Sequence, residues 1–260
     1  MTNDSPYVLK SVIDGVATLT LNRGDRFNPL SEEMMAALQA ELDTLKADDS
    51  VRVVVLAASG KAFCAGHDLK QMRAQPSHEY YRKLFNQCSK MMLAIQHMPQ
   101  PVIARVQGIA TAAGCQLVAM CDLAVAARDA KFAVSGVNYG LFCATPSVGL
   151  ARNVSRKQAM EMLLTGEFID ADTARERGLV NRVVASEELD AEVGRLAASI
   201  LAKPSVAIAM GKQLFYKQLE MGVEAAYQLA GQTMACNMMD EAALEGVQAF
   251  VEKRAPDWKK

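Results

Sequence analysis

This sequence predicts an α/β fold, with a core of alternating strands and helices followed by a purely helical tail. Three observations point to it. Short alternating or apolar runs, typical of strands, are separated by helical patterns up to about residue 200. From Pro204 onward the chain has no convincing strand, and helical patterns cover about 205–219, 223–238 and 240–253. At 260 residues it is long enough for one large core and a small appendage. We therefore divide it into a core over 1–200 and a helical region over 201–260.

The elements follow in order. Val16-Ala17-Thr18-Leu19-Thr20-Leu21 alternates with period two and reads as a strand, with the turn-like Asn22-Arg23-Gly24-Asp25 after it. Ser31 is an N-cap, and Glu32 and Glu33 sit in the first turn of a helix to about Lys46. Val53-Val54-Val55-Leu56 is a continuous apolar run, as in a strand covered on both faces. A helix spans roughly Glu79 to His97, and Pro99 and Pro101 stop it. Val102 to Val106 is a further buried strand, and the pattern is helical from about Ala113 to Met120. Leu123–Ala127 and Phe132–Val134 read as short strands, and Ser135 to Gly149 as a loop rich in small residues. Ser155 caps a helix through Leu164, a short helix leads into Gly178, and Leu179–Val184 returns as a strand. Ser186-Glu187-Glu188 opens the next helix.

Composition narrows the function. Hydrophobic residues make up 51% and charged residues 22%, which suits a folded soluble enzyme and not a disordered chain. A formal net charge of −1 argues against nucleic-acid binding, so a polyanionic ligand must be held by a few local cations. The six cysteines form no CxxC pair and no disulfide spacing, and read as reduced, mostly buried thiols of a cytoplasmic protein. Met1 to Pro6 has neither a basic nor an apolar leader pattern. No apolar run reaches the roughly 18 residues of a membrane span. His78 and His97 have no metal-ligand spacing, and no metal site is expected.

Two segments carry the chemistry: Phe63-Cys64-Ala65-Gly66-His67-Asp68-Leu69 and Gly108-Ile109-Ala110-Thr111-Ala112-Ala113-Gly114-Cys115-Gln116-Leu117. Each places small residues where a strand pattern gives way to a helical one. Backbone N–H groups at such junctions are unpaired and point forward. One from each segment can grip a single carbonyl oxygen and stabilise negative charge on it. A carbonyl compound is the ligand this chemistry suits.

Together the segments resemble the crotonase, or enoyl-CoA hydratase/isomerase, superfamily. The resemblance runs from about Tyr7 and includes Leu21-Asn22-Arg23, Pro101-Val102-Ile103-Ala104, Cys121-Asp122 and the closing Ala249-Phe250-Val251-Glu252-Lys253-Arg254-Ala255-Pro256. Residues 108–117, 136–138 and 140–143 are similar to one subgroup of it in particular. The resemblance implies a spiral of β-β-α units with a C-terminal helical region that builds homotrimers, often paired into hexamers. It implies no permanently bound cofactor, and coenzyme A as part of an acyl-CoA thioester substrate. The thioester oxygen would sit between the amides of His67 and Ala113. Coenzyme A would lie along Arg26, Phe27, Ala65, Asp68, Leu69 and Lys70, with Lys253 of a neighbouring subunit near its phosphates. Asp68 also reads as a loop-ordering or capping residue, and Lys253 with Arg254 as a solvated helix end.

The sequence departs from the family where hydratases carry two glutamates. The matching positions are Gln116 and Gly136. An amide does not exchange a proton at neutral pH and glycine has no side chain, so hydration should be weak. Glutamates at both positions should raise it. Ala144 takes the place of the aspartate some isomerases use. His67, Asn138, Tyr139, Cys143 and Thr145 remain near the acyl pocket. Ala-Gly-His-Asp also resembles decarboxylases acting on methylmalonyl-CoA-like substrates, which need an oxyanion hole but no base. Three readings stay open: a hydratase-type lyase, a malonyl- or methylmalonyl-CoA-type decarboxylase, and a non-catalytic acyl-CoA binder.

Overall fold

The computed structural model describes residues 5–258; the sequence reading of the first four residues lies outside them. The elements run in chain order as β1 (Val8–Ile13), β2 (Val16–Leu21), α1 (Glu32–Lys46), β3 (Val53–Ala58), β4 (Ala62–Cys64), α2 (Leu69–Ala74) and α3 (His78–His97). Next come β5 (Val102–Val106), β6 (Ile109–Thr111), α4 (Ala113–Met120), β7 (Leu123–Ala127), β8 (Lys131–Ala133), α5 (Ala144–Leu150) and α6 (Arg156–Thr165). The chain finishes with β9 (Ile169–Asp170), α7 (Ala171–Glu176), β10 (Arg182–Val184), α8 (Leu189–Leu201), α9 (Ser205–Gln218), α10 (Val223–Met238) and α11 (Glu241–Val251).

The strands form two sheets. The larger has the order β1-β2-β3-β5-β7-β10 and is parallel except for β1; the smaller has the order β4-β6-β8-β9. Each of β3, β5 and β7 is followed directly by a partner in the small sheet, β4, β6 and β8, and then by helix. The path is therefore a spiral of β-β-α turns. The continuous apolar run of β3 is what this geometry demands. Val54 and Leu56 face the main core, while Val53 and Val55 pack with Ile103, Val125, Leu189 and Val193 beneath α8. Ser31 caps α1 by accepting from the Met34 amide at 3.2 Å.

Some expectations shift. Residues 135–149, read as loop, hold a 3-10 turn over Ser135–Tyr139 and then α5. The strand read over 179–184 begins only at Arg182. Ser155 sits at the N-cap of α6 but bonds Gln158 Oε1 instead of a backbone amide. Five cysteines are buried, and Cys236 is exposed. No single helix among the described residues is long and apolar enough to cross a membrane.

The tail is tied to the core by exposed contacts of Arg52 with the Lys203 carbonyl and of Arg152 with Glu220, and by one buried polar cluster. Lys212 of α9 donates to Asp122 Oδ2 at 2.6 Å and to the carbonyls of Ile95 and Gln100 at 2.9 Å each. Tyr216 donates to Asp122 Oδ1, and Asp122 Oδ2 also accepts from the Val102 amide. The pair is largely buried, and its remaining hydrogen-bonding capacity is taken up, as a buried charge requires.

Candidate active site

The two glycine segments meet backbone to backbone. A Cβ on Gly114 would lie 2.1 Å from the Cys64 carbonyl oxygen, so only glycine allows this approach. Gly66 has φ +87°, and a Cβ there would come within 3.2 Å of the Ala113 nitrogen. Between them Ala112 holds φ 51°, ψ −122°, a region L residues rarely occupy, with its amide bonded to the Ala133 carbonyl at 3.0 Å. Such backbone strain costs on the order of 1–3 kcal/mol and persists only where neighbours fix it.

Ala113 is the first residue of α4, so its N–H has no acceptor within the helix. His67 lies beside Leu30 in a parallel bridge, where the Leu30 amide bonds the Gly66 carbonyl at 2.8 Å. Among the described residues neither the His67 nor the Ala113 amide donates to a protein acceptor. Both residues line one cavity of about 170 Å³.

The cavity wall is apolar and partly aromatic. Leu69 and Met72 come from α2, Phe85 from α3, and Tyr139, Leu141 and Phe142 from the turn before α5. The sequence reading missed Met72, Phe85, Leu141 and Phe142. Tyr139, Cys143 and Thr145 line the cavity as expected, whereas Asn138 turns away to donate to the Gly166 carbonyl at 3.3 Å. No Asp, Glu, Lys or Arg is among the lining residues. The His67 ring meets Phe85 edge to face at 5.5 Å, and burial pulls its pKa down to about 4. Burial also pushes up the Cys143 thiol, which accepts from the Gly136 amide at 3.3 Å. Ser135 and Thr111 pair their hydroxyls at 2.8 Å.

The remaining sequence-predicted residues separate. Ala65 and Leu69 line the cavity, and Ala65 donates its N–H to the Phe27 carbonyl at 3.0 Å. That bond joins Phe27, which is exposed and left-handed at φ 62°, and its neighbour Arg26 to the cavity mouth. Lys70 is exposed at the start of α2. Asp68 does not offer a free carboxylate to a ligand through Oδ1, because that atom caps α2 by accepting from Lys70 and Gln71 amides at 2.9 and 3.1 Å. Lys253 is exposed beyond α11, with φ 58°. Gln116 is buried on α4, outside the lining, with Oε1 lacking a partner. Gly136 lines the cavity, but a Cβ there would lie 2.4 Å from the Leu141 carbonyl and 2.8 Å from Cys143 Sγ. A glutamate at 136 therefore requires the Leu141 carbonyl and Cys143 to shift.

Comparison with known proteins agrees with this architecture. The profile described as enoyl-CoA hydratase/isomerase matches residues 12–260. Mouse enoyl-CoA hydratase domain-containing protein 3, mitochondrial, is 43% identical over 245 residues, covering 94% of this chain and 82% of the relative. The human protein of that name has a crystal structure 42% identical to this chain, with a TM-score of 0.94, covering 97% of this chain and 100% of that one. A structure described as enoyl-CoA hydratase from Mycobacterium smegmatis is 66% identical, with a TM-score of 0.96, covering 98% of this chain and 99% of that one.

Proposed function

Because this chain belongs to the enoyl-CoA hydratase/isomerase, or crotonase, family, we propose that it binds a coenzyme A thioester and polarises its carbonyl with the His67 and Ala113 amides. One observation carries the reading: two unpaired main-chain N–H groups, from two touching segments, belong to residues lining a single apolar cavity. Held in place by strained backbone, such donors need no reorganisation as an enolate oxyanion forms. In enzymes of this kind, losing one donor costs on the order of 10²–10³ in rate. Coenzyme A lies along Arg26, Phe27, Ala65, Leu69 and Lys70, with Lys253 of a second copy near the phosphates, as the family resemblance implies. The exposed apolar side chains of the tail helices support assembly into a homotrimer or a pair of trimers.

The cavity stabilises charge better than it moves protons. Its wall has no carboxylate, and the family resemblance implies that Gln116 and Gly136 stand where hydratases carry glutamates. Each missing acid or base removes typically about 10²–10⁴-fold. Calorimetry with acetyl-CoA and butyryl-CoA should therefore show binding, while hydration of crotonyl-CoA, followed by loss of enoyl absorbance, should be at least about 100-fold below usual enzyme rates. Absence of binding to either thioester refutes the proposal. Hydration at ordinary enzyme rates refutes the argument from the missing carboxylates.

A further inference from the structure

The cavity wall contains one half-buried imidazole, His67, that makes no hydrogen bond to the protein. Neither nitrogen of His67 has a hydrogen-bond partner among the described residues. Nε2 is sealed from solvent, which leaves Nδ1 as the ring nitrogen open to the cavity. The ring packs edge to face on Phe85, which itself stacks on Tyr81 at 6.5 Å. The hydroxyls of Ser135 and Thr111 bond each other at 2.8 Å, and neither bonds the ring.

A neutral imidazole carries one donor and one acceptor, and the surroundings decide which nitrogen holds the proton. Buried N–H groups without a partner are rarer than buried lone pairs without one. The tautomer that avoids an orphaned N–H keeps the lone pair on sealed Nε2 and the proton on open Nδ1. We propose that the Nδ1–H of His67 is a specificity determinant that donates to an uncharged oxygen, hydroxyl or keto, on the acyl chain of the thioester. The inference rests on the acyl-CoA reading above and names the class of acyl group that the site prefers.

The same surroundings disfavour a carboxylate on the acyl chain. No cation lines the cavity, and the ring is held neutral by burial, so an acyl carboxylate would gain one hydrogen bond and no counter-charge. This argues against malonyl- or methylmalonyl-type substrates.

The test is a calorimetric series with butyryl-CoA, acetoacetyl-CoA, 3-hydroxybutyryl-CoA, 4-hydroxybutyryl-CoA and malonyl-CoA. The wild-type protein should bind at least one of the three oxygenated chains about tenfold more tightly than butyryl-CoA, and malonyl-CoA least tightly. His67→Leu removes the donor and should bring the ratio of affinities for the oxygenated and plain chains to about one, whatever its effect on thioester binding as such. His67→Asn, with an amide N–H near the place of Nδ1, should retain it, which a merely space-filling role would not produce. Thermal melts check that both variants fold. Equal wild-type affinity for plain and oxygenated chains, a preference that survives His67→Leu, or carbon dioxide release from malonyl-CoA each overturn the inference. Failure of every thioester to bind refutes instead the acyl-CoA reading on which it rests.

Discussion

His67 couples the site to the stability of the fold. Burial lowers its pKa from 6.5 to about 4 in the folded chain, while the unfolded chain titrates near the ordinary value. Between those values the unfolded state holds more protons, so stability falls as pH is lowered from about 6.5 to 4 and levels off below. The shift corresponds to on the order of 3 kcal/mol. Urea denaturation across that window should therefore show a shallower pH dependence for His67→Asn than for wild type, and matching slopes would refute the assignment. Gly136 gives a second test at this scale. Gly136→Ala drives a methyl into the Leu141 carbonyl and Cys143 Sγ and should cost about 1–3 kcal/mol, read from the urea midpoint. Both glycine segments and the missing carboxylates were visible in the sequence, because each depends on residue identity at fixed spacing. The cavity wall was not. Phe85 and Met72 have the same helical spacing whether they face a core or a ligand, and only the spiral brings them opposite Tyr139 and Phe142.

Elements were legible where burial leaves a periodic trace. β3 and α1 begin where the apolar run and the Ser31 cap predict, since a strand covered on both faces and a capped amphipathic helix have few alternatives. The three-residue strands β4 and β6 were hidden, being too short to show a period, and they derive their strand geometry from pairing with each other. β1 left no alternation because five of its six residues are not buried. α5 was read as loop because its residues, Ala144-Thr145-Pro146-Ser147-Val148-Gly149-Leu150, form helix poorly and owe it to packing on α4. The docking of α9 onto the core uses Lys212 and Tyr216 with Asp122, 90 and 94 positions away from them. Lys212→Met strands the Asp122 carboxylate and should destabilise the protein by about 3–5 kcal/mol in urea denaturation. Loss of less than about 1 kcal/mol would mean the aspartate is satisfied without its lysine.

At the scale of the whole molecule, the tail helices expose more apolar side chain than a lone chain in water favours. Tyr227 is 76% exposed, Met234 67%, Met239 77% and Phe250 84%, although α10 and α11 are regular helices and Asp240 caps α11. Exposed apolar side chains in this number mark an association face, and a purely helical tail with no sheet edge to pair would bury them against other helices. Sedimentation equilibrium of the wild-type protein should give a trimer or a hexamer. Met234→Glu combined with Phe250→Glu places charges on that face and should shift the protein toward monomer without unfolding the core, as the far-ultraviolet spectrum would show. If Lys253 of a second copy reaches the coenzyme A phosphates, the same double variant should also weaken butyryl-CoA binding, and Lys253→Glu should weaken it while leaving the assembly intact. A wild-type protein that remains monomeric at micromolar concentration would remove the assembly and, with it, any contribution from a neighbour to the site.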